Sequence, residues 1–153
     1  MKKGKPFAMT AMMRTKYYFE DLEVGMEAAM QRVVAAGDVT AFADVSGDKN
    51  PLHLDPVYAA KTLFGGCITH GMLTASYISA VFAMELPGPG AVYVSQTLNF
   101  KGPVRVGDTV LTKVRVVELF PAKRRALFEC LCTVAGKPVL SGEAMLMVGA
   151  RPA

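Results

Sequence analysis

Gly71-Met72-Leu73-Thr74-Ala75-Ser76-Tyr77-Ile78-Ser79-Ala80-Val81-Phe82-Ala83-Met84-Glu85-Leu86 decides the fold. Its large apolar residues, Met72, Leu73, Ile78, Val81, Phe82 and Met84, fall nearly all the way round a helical wheel. A helix with no polar face has to be covered on every side. Pro87-Gly88-Pro89-Gly90 stops it, and the stretch is too short and too dotted with Ser and Thr to span a bilayer.

The chain on the C-terminal side supplies a cover. Val92 to Phe100, Thr109 to Leu119, Arg125 to Ala135 and Val139 to Val148 are rich in Val, Leu, Thr and aromatic residues. Val106-Gly107-Asp108, Pro121-Ala122-Lys123 and Gly136-Lys137 supply the turns between them. In the third run Phe128, Cys130, Cys132 and Val134 fall on one face, with Glu129 and Thr133 on the other, the alternation of an antiparallel meander.

On the N-terminal side, Tyr17 to Gly25 reads as an entry segment, and Glu27 to Ala36 alternates loosely as a first strand. Asp38 is placed as the N-cap of a short helix with Val39, Phe42, Ala43 and Val45 as its apolar stripe. Pro51, Pro56 and Gly65-Gly66 make Lys49 to Gly66 mostly loop with one helical turn. One strand, helices and then four strands predict an α+β domain, a curved antiparallel sheet wrapped around one long buried helix. A lone sheet of this size leaves part of the helix and an edge strand uncovered, which predicts a homodimer or higher homo-oligomer.

At 153 residues and 52% hydrophobic, the chain suits one compact domain. Its formal charge of +4 is local. Residues 1–16 hold Lys2, Lys3, Lys5, Arg14 and Lys16 and no acidic residue, so the remaining twelve basic residues face 13 acidic ones. The reading is a basic flexible tail over 1–16 and one domain over 17–153, with no nucleic-acid partner. Cys130 and Cys132 read as small apolar residues rather than metal ligands, with His53 and His70 far from them in sequence. No metal is expected, and reduced thiols suit a cytoplasmic protein. After Met1-Lys2-Lys3 the apolar stretch is cut by Thr10 and Arg14, so no signal peptide is read.

The chemistry concentrates in Ser46-Gly47-Asp48-Lys49-Asn50-Pro51-Leu52-His53-Leu54-Asp55-Pro56. Prolines brace it, and Pro51 turns the chain so that Asp48 and His53 can converge. On spacing alone, the commoner arrangement has Asp48 and Asp55 capping turns and His53 as an ordinary loop histidine. The whole string shifts that reading: Gly47 to Asp55 resembles the hydratase motif of the MaoC-like dehydratases, the R-specific enoyl-CoA hydratases of hot-dog fold. The resemblance extends to Phe64-Gly65-Gly66, to His70-Gly71-Met72-Leu73, and to Asn99-Phe100-Lys101-Gly102-Pro103-Val104 with Val106-Gly107-Asp108. It covers roughly residues 19–148.

The resemblance implies a single hot-dog domain and reversible syn hydration of a trans-2-enoyl-CoA to an R-3-hydroxyacyl-CoA. Asp48 and His53 would form the catalytic dyad and the Gly71 amide the oxyanion donor. Asn50, Ser79, His70 and Phe82 are candidates for dyad support or substrate binding. His70 reads equally as a structural or capping residue, Ser79 as a helix serine bonding its own backbone, and Phe82 as core. Lys123-Arg124-Arg125 is either a contact for coenzyme A phosphates or a solvated hairpin tip. The partner is an acyl-CoA or acyl carrier protein thioester. The absence of a phosphate-cradling glycine loop predicts no bound cofactor. Two other readings stay open: a thioesterase on the same fold, and a non-catalytic acyl-thioester binding subunit.

Overall fold

The computed structural model describes residues 16–153. Apart from Lys16, whose ammonium pairs with Glu85 at 2.6 Å, the expected basic tail lies outside the described residues. The elements are β1 (Glu27–Val33), α1 (Ala36–Ser46), α2 (Pro51–Leu54), α3 (Pro56–Ala60), α4 (Gly71–Met84), β2 (Val92–Gln96), β3 (Asn99–Phe100), β4 (Thr109–Phe120), β5 (Arg125–Val134) and β6 (Lys137–Met147). The strands form one sheet in the order β1-β4-β5-β6-β2, with β3 also paired to β6. All pairings are antiparallel.

α4 lies on the sheet with Leu73, Thr74, Tyr77, Ile78, Val81 and Phe82 buried. They meet the inward rows of the meander, Val110, Val114 and Val116 on β4 and Phe128, Cys130 and Cys132 on β5. Each large side chain so buried contributes about 1.5–3 kcal/mol. Phe82 sits at the centre, edge-on to Phe128 at 4.9 Å and to Tyr93 at 5.5 Å between ring centroids. The opposite stripe of α4 is not covered within one chain: Met72, Ser76, Ser79 and Ala83 are exposed.

Several local expectations change. The first strand stops at Val33, and α1 begins at Ala36. Ala35, not Asp38, is the N-cap, and the Asp38 carboxylate accepts from the Ala35 amide at 2.9 Å. Val39 and Ala43 are buried as the stripe requires, but Val45 is exposed, because its position lies well round the helix from Val39. The segment 49–66 holds two short helices, each opened by a proline in its first turn and capped by an upstream side chain. The run from Val92 to Phe100 splits into β2 and β3. There the Thr97 carbonyl presses onto β6 so closely that a Cβ on Gly142 would sit 1.9 Å from its oxygen.

Candidate active site

The residues between α1 and α4 are folded by their own short-range bonds. Gly47 takes a φ of 78°, ending α1. The Asn50 amide then bonds Asp48 Oδ1 at 3.2 Å. Asn50 Oδ1 accepts from the Leu52 amide at 3.1 Å, and its carbonyl accepts from the His53 amide at 2.9 Å. Asn50 thus caps α2, the turn that carries His53. Asp55 caps α3 in the same way, accepting from the Val57 and Tyr58 amides.

His53 Nδ1 lies 2.8 Å from the Ile68 carbonyl oxygen. A carbonyl only accepts, so this nitrogen carries the proton and Nε2 is the open one. Nε2 faces Asp48 Oδ2 at 4.0 Å, with the imidazole 11% exposed and the carboxylate 49% exposed. Two acceptors 4.0 Å apart, each at about 2.8 Å from one oxygen, subtend roughly 90° there, close to the angle at which water presents its two protons.

His70, the N-cap of α4, is buried. Its Nε2 donates to the Asp48 carbonyl at 2.9 Å, and its ring lies 3.9 Å from that of His53 and 4.9 Å from that of Phe42. Its Nδ1 has no partner among the described residues. Asp48, His53 and His70 bring ligand-capable atoms within 4.8 Å of one another. The two imidazoles are tilted by 30° to each other, and His53 Nδ1 and His70 Nε2 are each engaged with a backbone carbonyl.

At the start of α4, the Leu73 and Thr74 amides both take the His70 carbonyl, at 3.0 and 3.3 Å. The amides of Gly71 and Met72 have no intrahelical acceptor, and the positive end of the helix points with them. Both residues line a cavity of about 550 Å³ whose walls include Asp48, Phe64, Thr74, Phe100, Lys101 and Leu140. The Phe100 ring lies directly on Gly71, where a Cβ would approach it to 2.6 Å.

Asp48, His70 and Gly71 therefore line one cavity. His53, which does not line it, lies behind them against Asp48 and His70, with Asn50 capping the turn that carries it. Ser79 and Phe82 are elsewhere: Ser79 is exposed and does not line this cavity, and Phe82 is in the core. Lys123-Arg124-Arg125 closes the β4–β5 hairpin, and Arg125 pairs with Met147. That is seven positions along β6 from the cavity residue Leu140, roughly 20–25 Å of strand. The cation at the cavity is instead Lys101. The role of Phe100 was missed in the sequence, although its neighbourhood stood out; only the glycine at 71, which leaves room for a ring, signals it.

Residues 20–135 match the family described as MaoC like domain. The chain is 53% identical over 131 residues to a 3-hydroxybutyryl-CoA dehydratase of Methylorubrum extorquens, covering 86% of this chain and 83% of the relative. It is 50% identical over 135 residues to an (R)-specific enoyl-CoA hydratase of Rhodospirillum rubrum, covering 88% and 94%. The unliganded R-hydratase of Pseudomonas aeruginosa superposes with a TM-score of 0.83 at 44% identity, over 88% of this chain and 86% of that one. The antiparallel sheet on one long helix is thus the hot-dog architecture that the resemblance implied, and the chain belongs to the MaoC-like dehydratase family.

Proposed function

We propose that the chain is a lyase that reversibly adds water to a trans-2-enoyl-CoA, giving an R-3-hydroxyacyl-CoA. The observation that carries this is the approach of Asp48 to the open Nε2 of His53, with Asp48 and the N-terminal amide of Gly71 on the same cavity. Relatives bearing hydratase and dehydratase names support it.

In this reading Asp48 is ionised and His53 neutral at rest, and each accepts a hydrogen bond from one O–H of a single water. Its oxygen attacks the β-carbon while one proton passes to the pair. The electron pair of the carbon–carbon double bond shifts to the bond between the α-carbon and the thioester carbon. The carbonyl π electrons move onto the oxygen, giving an enolate that the Gly71 amide meets, an interaction typically worth about 3–4 kcal/mol. The pair then returns a proton to the α-carbon on the face that received the hydroxyl, which makes the addition syn and leaves the dyad as it began.

Lys101 at the cavity suits the phosphates of coenzyme A. β2 is an open sheet edge with Val92, Tyr93 and Val94 exposed; its pairing with β2 of a second copy is the dimer we assign. Among the described residues no helix is long and apolar enough to cross a membrane. The three free thiols suit a reducing cytoplasm.

The test follows loss of enoyl absorbance with trans-2-butenoyl-CoA, beside release of free thiol. Absorbance loss without thiol, yielding the R product, supports the hydratase. Thiol release would make it a thioesterase, and binding without turnover across enoyl chain lengths would make it a binding subunit.

A further inference from the structure

Arg105 belongs to none of the groups described so far, and its guanidinium makes no ion pair among the described residues. It is spent on backbone. Nη2 donates to the Phe64 carbonyl at 2.6 Å and Nη1 to the Cys67 carbonyl at 3.4 Å. The loop it grips closes tightly around it: Gly65 has a φ of 66°, and a Cβ on Gly66 would lie 3.2 Å from Nη1.

The anchor from which Arg105 reaches is itself fixed. Its amide donates to Asp108 Oδ2 at 2.8 Å, and the Asp108 amide returns to the Arg105 carbonyl at 3.0 Å. That turn is tied to the end of β1, through Val34 to the Asp108 carbonyl at 3.0 Å and Gly107 to the Val34 carbonyl at 2.8 Å. The gripped loop leads directly into Ile68, the residue whose carbonyl holds His53 Nδ1 at 2.8 Å. Beyond that point the loop is held by its amides: Ile68 to the Leu52 carbonyl at 3.3 Å and Thr69 to the Val104 carbonyl at 2.6 Å.

We infer that Arg105 is a positioning residue for the hydration. By clamping the Phe64 and Cys67 carbonyls it keeps the Ile68 carbonyl on His53 Nδ1, so that Nε2 stays deprotonated and aimed at the water shared with Asp48. A planar fork with donors on two nitrogens suits two carbonyls three residues apart; a lysine ammonium is a single point and cannot hold both in the same way. The inference rests on the dyad reading above.

Arg105→Ala and Arg105→Lys test it, with kcat and KM for butenoyl-CoA measured beside His53→Ala. The ring ¹⁵N resonances of His53 report its tautomer without reference to activity. The expected result is a folded Arg105→Ala protein with kcat lowered roughly 10- to 100-fold, the scale set by small misplacements of a catalytic group. Millimolar guanidinium should restore part of it, His53 should show a mixed tautomer, and Arg105→Lys should lie between the two without rescue. Parent-level kcat in either folded variant, or a fall in kcat with the Nδ1–H tautomer intact, would overturn the role. Should Arg105→Ala fail to fold, Arg105→Lys with its ¹⁵N spectrum decides alone. A fully active His53→Ala would instead refute the dyad, leaving the tautomer measurement to judge Arg105 on its own.

Discussion

His70 donates its Nε2–H to the carbonyl oxygen of Asp48 across 2.9 Å, joining the first residue before α4 to a loop 22 positions earlier. The same ring lies against His53 at 3.9 Å, so one buried imidazole touches both members of the proposed dyad. His70→Phe keeps a flat ring there and removes the donor. Loss of about 1–3 kcal/mol in a denaturant titration is expected, the cost of a carbonyl left without its partner. A fall in kcat exceeding the change in KM, measured on the same sample, distinguishes displaced chemistry from weakened binding.

Gly71 is forbidden a side chain by Phe100, not by its own backbone. A Cβ would meet Cε1 at 2.6 Å and Cδ1 at 2.9 Å. In Gly71→Ala the ring, which is 55% exposed, must swing away, and its free space includes the cavity that both residues line. Activity should drop on the order of 10²-fold, comparable to losing an oxyanion donor. Adding Phe100→Ala should return much of it. The coupling in that double-mutant cycle is the measurement.

Much of this is legible in the sequence alone. The all-round apolar character of residues 71–86 required a covered helix, and α4 buries Leu73, Ile78, Val81 and Phe82. The alternation at Phe128, Cys130 and Cys132 placed three inward side chains correctly, all buried on β5. The motif from Gly47 to Asp55 places Asp48 Oδ2 4.0 Å from His53 Nε2. What was not legible depends on contacts distant in sequence. Nothing near Asp38 reveals that α1 starts two residues before it, because its role is set by the Ala35 amide. The hold of Ile68 on His53, of His70 on Asp48 and of Arg105 on residues 64 and 67 all cross between segments. Phe82 and Ser79 share the helix with Gly71, but the rotation of α4 on the sheet sends one to the core and the other to the surface.

The thiols should divide sharply. Burial pushes the Cys130 thiol up to about 12, and burial likewise raises Cys132. Cys67 is only half-buried. A thiolate-specific disulfide reagent at mildly alkaline pH should therefore consume one thiol quickly and the other two only on unfolding. Rapid reaction of all three in the folded protein would contradict the burial of β5.

Asp38 supplies a pH signature for α1. The Ala35 amide, and secondarily the charge of Arg32, hold its carboxyl below the ordinary value of 3.8. A carboxyl depressed on folding stabilises the fold above its unfolded value, and that stabilisation is lost as the pH falls through the folded value. Asp38→Asn should therefore be less stable than the parent near neutral pH, with the gap closing in acid below about pH 4. A gap that persists unchanged in acid would mean the carboxylate charge is not what caps the helix.

The most direct test of the central claim is hydration of trans-2-butenoyl-CoA by the parent, Asp48→Asn and His53→Ala proteins, all checked for native folding. The account predicts rapid loss of enoyl absorbance with the parent. Asp48→Asn and His53→Ala should each lose on the order of 10²–10⁴-fold in kcat, the range of a positioned acid–base group, and the double variant should lose little more, because the two share one water. Near-parental hydration by either single variant, or losses that multiply in the double variant, would contradict a dyad acting as a unit.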